Sequence, residues 1–329
     1  MKNWLNLPKQ RQLDLFDQLS AMTGIMPQAI EKDAWVTLIL RMIFSSRIEQ
    51  HLVFKGGTSL SKAYKIIERF SEDIDIAIDR KYLGFEGDLS KGEIRKLRRK
   101  SHDFVSTEMV DTLTSQLDSY GISKRLYAIL MENTKISDQD PETIQVHYKS
   151  IYEETSYLPN KLLIEIGARS LIEPHLKTKI NSIIDEQYPE SVFTEKGFFT
   201  NTVIPEKTFL EKMMLLHEEF SKPVEKIRHE RMSRHLYDLG QMLKTGFGQK
   251  AIKNIELFNS IIEHRKKLTP VKTVNYENLT IDKLEILPPQ NFYDLYEKDY
   301  ADMQENMIYG ENLDFNMLIK LIKNEYPSA

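Results

Sequence analysis

Leu13, Phe16, Leu19 and Met22 recur at helical spacing, which predicts an amphipathic helix over residues 9–21. Pro27 is suited to the first position of a second helix, running through Ile30, Ala34, Leu38 and Met42. Its most apolar part, Trp35 to Phe44, is interrupted by Thr37 and Arg41 and reads as a buried helix, too short for a membrane span. Leu52-Val53-Phe54 then stops at Gly56-Gly57, the pattern of a buried strand running into a tight turn. Thr58 or Ser59 is placed to cap a helix through Leu60, Ala63, Tyr64 and Ile67. From Asp73 to Ile78 polar and apolar positions alternate with period two, which predicts a strand.

Residues 88–119 read as polar and helical. Strand-like segments follow at Ser123 to Met131, Thr143 to Tyr152 and Lys161 to Ile166. Beyond Pro205 the periodicity turns helical over Thr208 to Phe220, Ile227 to Leu243 and Ala251 to Lys267. Thr269 to Gln290 reads as irregular, and two short helices close the chain. The expected fold is α+β: a mixed sheet with flanking helices in residues 1–203, then a helical domain in 204–329. No internal repeat or low-complexity tract interrupts this plan.

Composition narrows the chemistry. The chain has no cysteine, which excludes disulfides, thiolate catalysis and cysteine-bound zinc. A formal net charge of −4 does not mark a general nucleic-acid binder, although a local basic patch would still bind RNA. Lys91, Arg95, Lys96, Arg98, Arg99 and Lys100 form one such stretch, and His264-Arg265-Lys266-Lys267 a second; each is either an RNA-backbone contact or a solvated face. The first residues lack the apolar core of a signal peptide, so a cytoplasmic location with no membrane partner is expected. Nothing in the pattern specifies an oligomer.

The candidate chemistry sits in one run, Phe54-Lys55-Gly56-Gly57-Thr58-Ser59-Leu60 followed by Arg69-Phe70-Ser71-Glu72-Asp73-Ile74-Asp75. Glycines let the backbone approach a ligand, and the helix start after them presents free N–H groups to phosphate. Asp73 and Asp75, two apart on a strand, share a face, so both carboxylates can meet one cation. Mg²⁺ takes hard oxygen ligands and leaves the rest of its octahedron to water or substrate phosphates. Nucleotidyl transfer needs this set, with fixed positive groups to meet charge on the triphosphate. The competing reading is a loop–helix–strand connection whose acids are merely solvated.

These residues resemble the AbiEii/AbiGii toxin family of nucleotidyltransferases, a branch of the DNA polymerase beta-like superfamily found in type IV toxin–antitoxin and phage-defence systems. The likeness runs from Glu31-Lys32-Asp33-Ala34-Trp35-Val36-Thr37 through Lys55 to Lys62 and Arg69 to Asp75. It returns at Thr208-Phe209-Leu210-Glu211-Lys212 and at Arg234-His235-Leu236-Tyr237-Asp238-Leu239. The resemblance implies a polymerase beta-like mixed sheet, an NTP co-substrate, Mg²⁺ on Asp73 and Asp75, and a triphosphate pocket lined by Lys55, Gly56, Gly57, Thr58 and Ser71. It assigns Lys212 to the nucleotide phosphates and Asp238 to the acceptor, as the last catalytic acid. The superfamily often adds a third carboxylate, and Glu165 has the required setting in Leu163-Ile164-Glu165-Ile166. The partners this resemblance implies are a tRNA or other RNA acceptor and a cognate antitoxin.

Each assignment has a plainer alternative. On these readings Glu165 pairs structurally with Arg169, Lys212 is a solvated helix lysine, and Asp238 binds a neighbouring helix. His235 reads as a structural hydrogen-bonder. At the level of function, the rivals are a non-catalytic nucleotide- or RNA-binding module of the same fold, and nucleotidylation of protein. Two further motifs are set aside. Gly246-x-Gly248 follows a helix and not a strand, which makes Gly246 a helix C-cap. Ser59-x-x-Lys62 with Lys244-Thr245-Gly246 imitates a penicillin-recognising enzyme, yet Lys244 ends a helical pattern.

Overall fold

The computed structural model describes residues 2–71, 73–132, 136–154 and 158–326, so Glu72 of the acidic run lies outside the described residues. The chain forms two compact units, Met1–Ala63 with Phe70–Val203, and Tyr64–Arg69 with Ile204–Ala329.

In the first unit, α1 (Lys9–Thr23) and α2 (Pro27–Phe44, Pro at its first turn) form where the apolar periodicity places them. Helix α2 is buried almost all round, so its charged residues need partners. Lys32 donates to the Pro159 carbonyl at 2.8 Å, and Glu31 accepts from the Ser150 hydroxyl and the Ile151 amide. After β1 (Leu52–Lys55), α3 is only seven residues long (Gly56–Lys62) and starts at the glycine itself with no side-chain cap. The expected extension to Ile67 fails because Tyr64–Arg69 joins the second unit, with Lys65 at φ +55°. Strand β2 (Ile74–Ile78) follows, then α4 (Lys91–Phe104), a short π-helical turn, α5 (Val110–Ser119), β3 (Tyr127–Met131), β4 (Glu142–Tyr148), β5 (Lys161–Gly167), β6 (His175–Ile180), α6 (Ile183–Gln187) and β7 (Phe198–Val203).

The strands form one mixed seven-stranded sheet in the order β3-β4-β5-β2-β1-β7-β6. β2 and β5 are parallel, as are β1 and β7; the other pairs are antiparallel. One face is apolar and covered: Ile74, Ile76, Ile144, Val146, Ile164 and Ile166 are fully buried, and Trp35 of α2 stacks on Tyr148 at 5.2 Å. Each such side chain contributes roughly 1.5–3 kcal/mol on burial, which pins the register, because a one-residue slip would turn the whole set to the other face. The opposite face carries the polar row described below.

Strands β6 and β7 escape the sequence pattern. Their inner positions include Thr178, Thr200 and Thr202, whose hydroxyls bond one another at 2.6–3.2 Å, while Lys177 and Lys179 lie exposed on the edge strand. A hydroxyl ladder satisfies buried polar atoms as apolar packing would, but leaves no hydrophobic alternation to read.

The second unit is helical: α7 (Pro205–Phe220), α8 (Ser233–Lys244), α9 (Phe247–Lys253), α10 (Ile255–Leu268), α11 (Tyr293–Asn306) and α12 (Phe315–Glu325). Residues 269–289 are irregular apart from one short 3₁₀ turn. Helix α8 is central and packs against α7, α9, α11 and α12. It starts later than its periodicity suggests, after Arg231 at φ +58°. Gly246 lies at φ +79° just past α8, the left-handed position that suits glycine, and the lysine–threonine–glycine run is on no strand.

Candidate active site

Strand register builds the site in the first unit. Lys55 pairs with Asp75 across β1 and β2, Asp75 with Glu165 across β2 and β5, and Glu165 with Thr143 across β5 and β4. Directly paired residues point to the same side, so these four form one row on the face opposite the isoleucines. Towards the far end of the strands this face closes over Val53, Ala77 and Val203, with Ile172 against them.

The carboxylate of Asp75 lies against the backbone of Gly56. A Cβ on Gly56 would stand 1.9 Å from Asp75 Oδ2 and 2.8 Å from its Cγ, and Gly56 is at φ +79°. Only glycine meets both conditions. Asp73 is held by its backbone: the Thr58 hydroxyl donates to the Asp73 carbonyl and shares a 2.9 Å hydrogen bond with Ser71 Oγ. Thr58 is therefore committed inward and fully buried. Ser71, Asp73, Asp75, Lys55, Gly56, Gly57 and Glu165 all remain partly accessible.

Helix α3 is fixed from behind by a buried ion pair between Lys62 and Asp33 of α2, whose second carboxylate oxygen accepts from the Ile183 amide at 2.9 Å. Ser59 donates to the Gly56 carbonyl. Ser59 and Lys62 thus shape the glycine turn, which disposes of a serine–lysine nucleophile.

The donor set fits Mg²⁺. Asp73 and Asp75 offer hard carboxylate oxygens, and a carboxylate cradled on a glycine has no room to turn away. Among the described residues no three of His, Asp or Glu converge as metal ligands, so Glu165 stands beside Asp75 in register without completing a three-carboxylate cluster. Two protein carboxylates suffice for an ion that completes its octahedron with water and phosphate. Arg169, weighed as a partner for Glu165, donates its Nε to Asp140 at 2.7 Å.

The second unit holds the other sequence candidates. Asp238 of α8 is wholly buried and receives Arg69 in a fork, Nε to Oδ1 and Nη2 to Oδ2, both at 2.8 Å. Lys212 of α7 approaches the same Oδ2 at 2.8 Å, and its ammonium lies 3.5 Å from His235 Nδ1. Burial alone would raise the Asp238 pKa; the two cations outweigh it and hold the carboxyl well below the usual range. Lys212 is thus no solvated helix lysine. Arg69 was passed over in the sequence although it heads the acidic run; a buried arginine requires a carboxylate, and only folding says which.

Burial, with Lys212 and Arg234 nearby, pushes the His235 pKa well below its ordinary value, so the ring is neutral. The unfolded chain titrates near pH 6.5 and binds the proton that the folded chain refuses, so stability is lost as pH falls through that value. Urea unfolding between about pH 7.5 and 5.5 should show a decline approaching 1.4 kcal/mol per pH unit for this group. His217, lowered by burial against the opposing charges of Glu285 and Glu218, adds in the same direction. His235→Gln should flatten the slope; an identical slope in that variant would refute a neutral buried ring.

The basic stretches fall outside this constellation. Lys91, Arg95, Lys96, Arg99 and Lys100 of α4 are exposed, and three of them line a groove of about 350 Å³ with Leu83 and Phe85. His102 of α4 contacts Glu142 at 2.7 Å on the isoleucine face, so α4 lies across the sheet from Asp75. Arg265 and Lys266 are paired with Glu218 and Glu277.

The family model described as nucleotidyl transferase AbiEii toxin, type IV toxin–antitoxin system, matches residues 38–320. Among solved structures, MenT4, a nucleotidyltransferase toxin from Mycobacterium tuberculosis, is similar at 14% identity and TM-score 0.46, covering 94% of this chain and 98% of its own. JHP933 from Helicobacter pylori is similar at 14% identity and TM-score 0.38, covering 84% of this chain and 96% of its own. No match in sequence is found among curated proteins.

Proposed function

The chain belongs to the AbiEii family of nucleotidyltransferase toxins of type IV toxin–antitoxin systems, and from that premise we propose that it moves a nucleoside monophosphate from an NTP to an RNA acceptor, tRNA foremost, in the cytoplasm. The observation that carries this reading is the Asp75 carboxylate seated on Gly56. A hydroxyl oxygen of the acceptor attacks the α-phosphorus and gives its proton to solvent water, the bond from that phosphorus to the β-bridging oxygen breaks, and pyrophosphate leaves with the electron pair. Asp73 and Asp75 hold Mg²⁺, which when bound neutralises charge on the triphosphate. On this reading Lys55, Gly56, Gly57, Thr58 and Ser71 serve the triphosphate, and the family's role for Lys212, positive charge offered to nucleotide phosphates, carries over to that residue. Glu165 borders Asp75 as an accessory carboxylate. A cognate antitoxin and a role in phage defence follow from the family and belong to the same proposal.

The test is incubation of the protein with each of the four α-labelled NTPs, Mg²⁺ and total RNA. Label entering RNA in the tRNA size range is expected. Label on polypeptide would make the enzyme a protein nucleotidylator. Nucleotide binding with no transfer of any label would make it a binding module.

A further inference from the structure

We propose that Asp238 is a positioning residue that holds the Lys212 ammonium in place, that Arg69 acts one step further out by fixing Asp238, and that Asp238 does not accept the acceptor's proton. This rests on the phosphate role given to Lys212 above. Three observations carry it. Both oxygens of Asp238 are occupied, one by Arg69 Nε and the other by Arg69 Nη2 together with Lys212 Nζ. A general base must present a free lone pair to the proton it takes, and a carboxylate forked by a guanidinium and capped by an ammonium is a poor one. Asp238 is also wholly buried, whereas Lys212 keeps a small accessible fraction, 9% of its side chain.

The segment bearing Arg69 is itself tied down. Tyr237, the neighbour of Asp238, receives the Glu68 amide on its hydroxyl at 3.2 Å, and the Glu68 carbonyl accepts from the amides of Tyr309 and Gly310. Arg69 bridges Ile308 in strand-like pairing, and a Cβ on Gly310 would stand 2.0 Å from Glu68 Oε2. The guanidinium is thus delivered to Asp238 by a fixed backbone. Of the three N–H groups of Lys212, one goes to Asp238 and one faces His235 Nδ1. The third has no acceptor among the described residues and is available to a phosphate oxygen.

The charges facing Lys212 explain why Asp238 is needed. Burial pushes the ammonium towards its neutral form, Asp238 opposes it, and Arg69 and Arg234 push the same way as burial, so that the pKa lies below the ordinary lysine value even with Asp238 in place; His235 is neutral. Without Asp238 the lysine would lose its proton as pH rises, and with it the attraction for phosphate.

The experiment measures equilibrium binding of a non-hydrolysable NTP analogue with Mg²⁺, and steady-state transfer, from about pH 7 to 9. Asp238→Asn should weaken nucleotide binding about tenfold or more, and its binding should fall off at a lower pH than that of the wild type. Arg69→Met should weaken it similarly and Arg69→Lys less, because a lysine restores charge without the fork. A base role predicts otherwise: kcat falling about 10²–10⁴-fold in Asp238→Asn with unchanged nucleotide affinity, which would overturn the proposal. If Asp238→Asn fails to fold, the contrast between Arg69→Met and Arg69→Lys decides; equal, wild-type affinity in both would overturn it. A wild type that binds nucleotide without transferring it sinks the transfer reading alone, since the affinities still judge this one.

Discussion

Asp73→Ala is expected to lower the transfer rate by about 10³-fold while changing the unfolding free energy by no more than about 1 kcal/mol. The two effects separate because the backbone and side chain of Asp73 have different tasks. Its carbonyl is clamped by Thr58, which the substitution leaves intact. Its carboxylate is one of two donors proposed for Mg²⁺, and halving the protein's donor charge removes most of the affinity for a hard cation. Transfer measured over a range of Mg²⁺ concentrations, alongside urea unfolding, checks both halves. A wild-type rate in this variant would remove the metal assignment, whatever the family.

Gly56→Ala should cost about 10²-fold in transfer and about 1–3 kcal/mol in stability. The backbone share comes from forcing alanine to φ +79°, roughly 1–2 kcal/mol. The larger functional share comes from the new methyl at 1.9 Å from Asp75 Oδ2, which has to push the carboxylate off its seat. Gly84→Ala separates the two. Gly84 lies at φ +87° with nothing within 4 Å of a built Cβ, so it carries the backbone cost and should transfer normally. Equal rates in the two variants would mean that the glycine serves only the turn and not the position of Asp75.

Much of the site is legible along the chain because its geometry is local. Strand periodicity is what put Asp73 and Asp75 on one face in the sequence, although β2 begins only at Ile74, and Gly56 announces an unusual backbone next to Asp75. The resemblance to the family is equally local, carried by Lys55 to Lys62 and Arg69 to Asp75, and the match over residues 38–320 agrees with it. Elements with strong apolar periodicity, such as α2 and α7, were likewise readable. The failures have physical causes. Strands β6 and β7 bury threonines that satisfy one another, so the alternation that marks a strand is missing. Helix α3 stops at Lys62 although Tyr64 and Ile67 continue its pattern, because Tyr64–Arg69 belongs to the other unit.

By itself the sequence determined the chemistry on offer: two carboxylates at period two, a glycine turn before them, no thiol anywhere, and a family. Spacing along one strand or one turn needs no knowledge of distant residues. Tertiary structure alone decided which groups share a charge. It set Glu165 in register with Asp75, gave Arg169 to Asp140, and joined Arg69, Lys212 and Asp238, which lie up to 169 positions apart. Buried charges must find opposite partners, and the partner is whichever one the packing of α7, α8 and the Tyr64–Arg69 segment brings within reach.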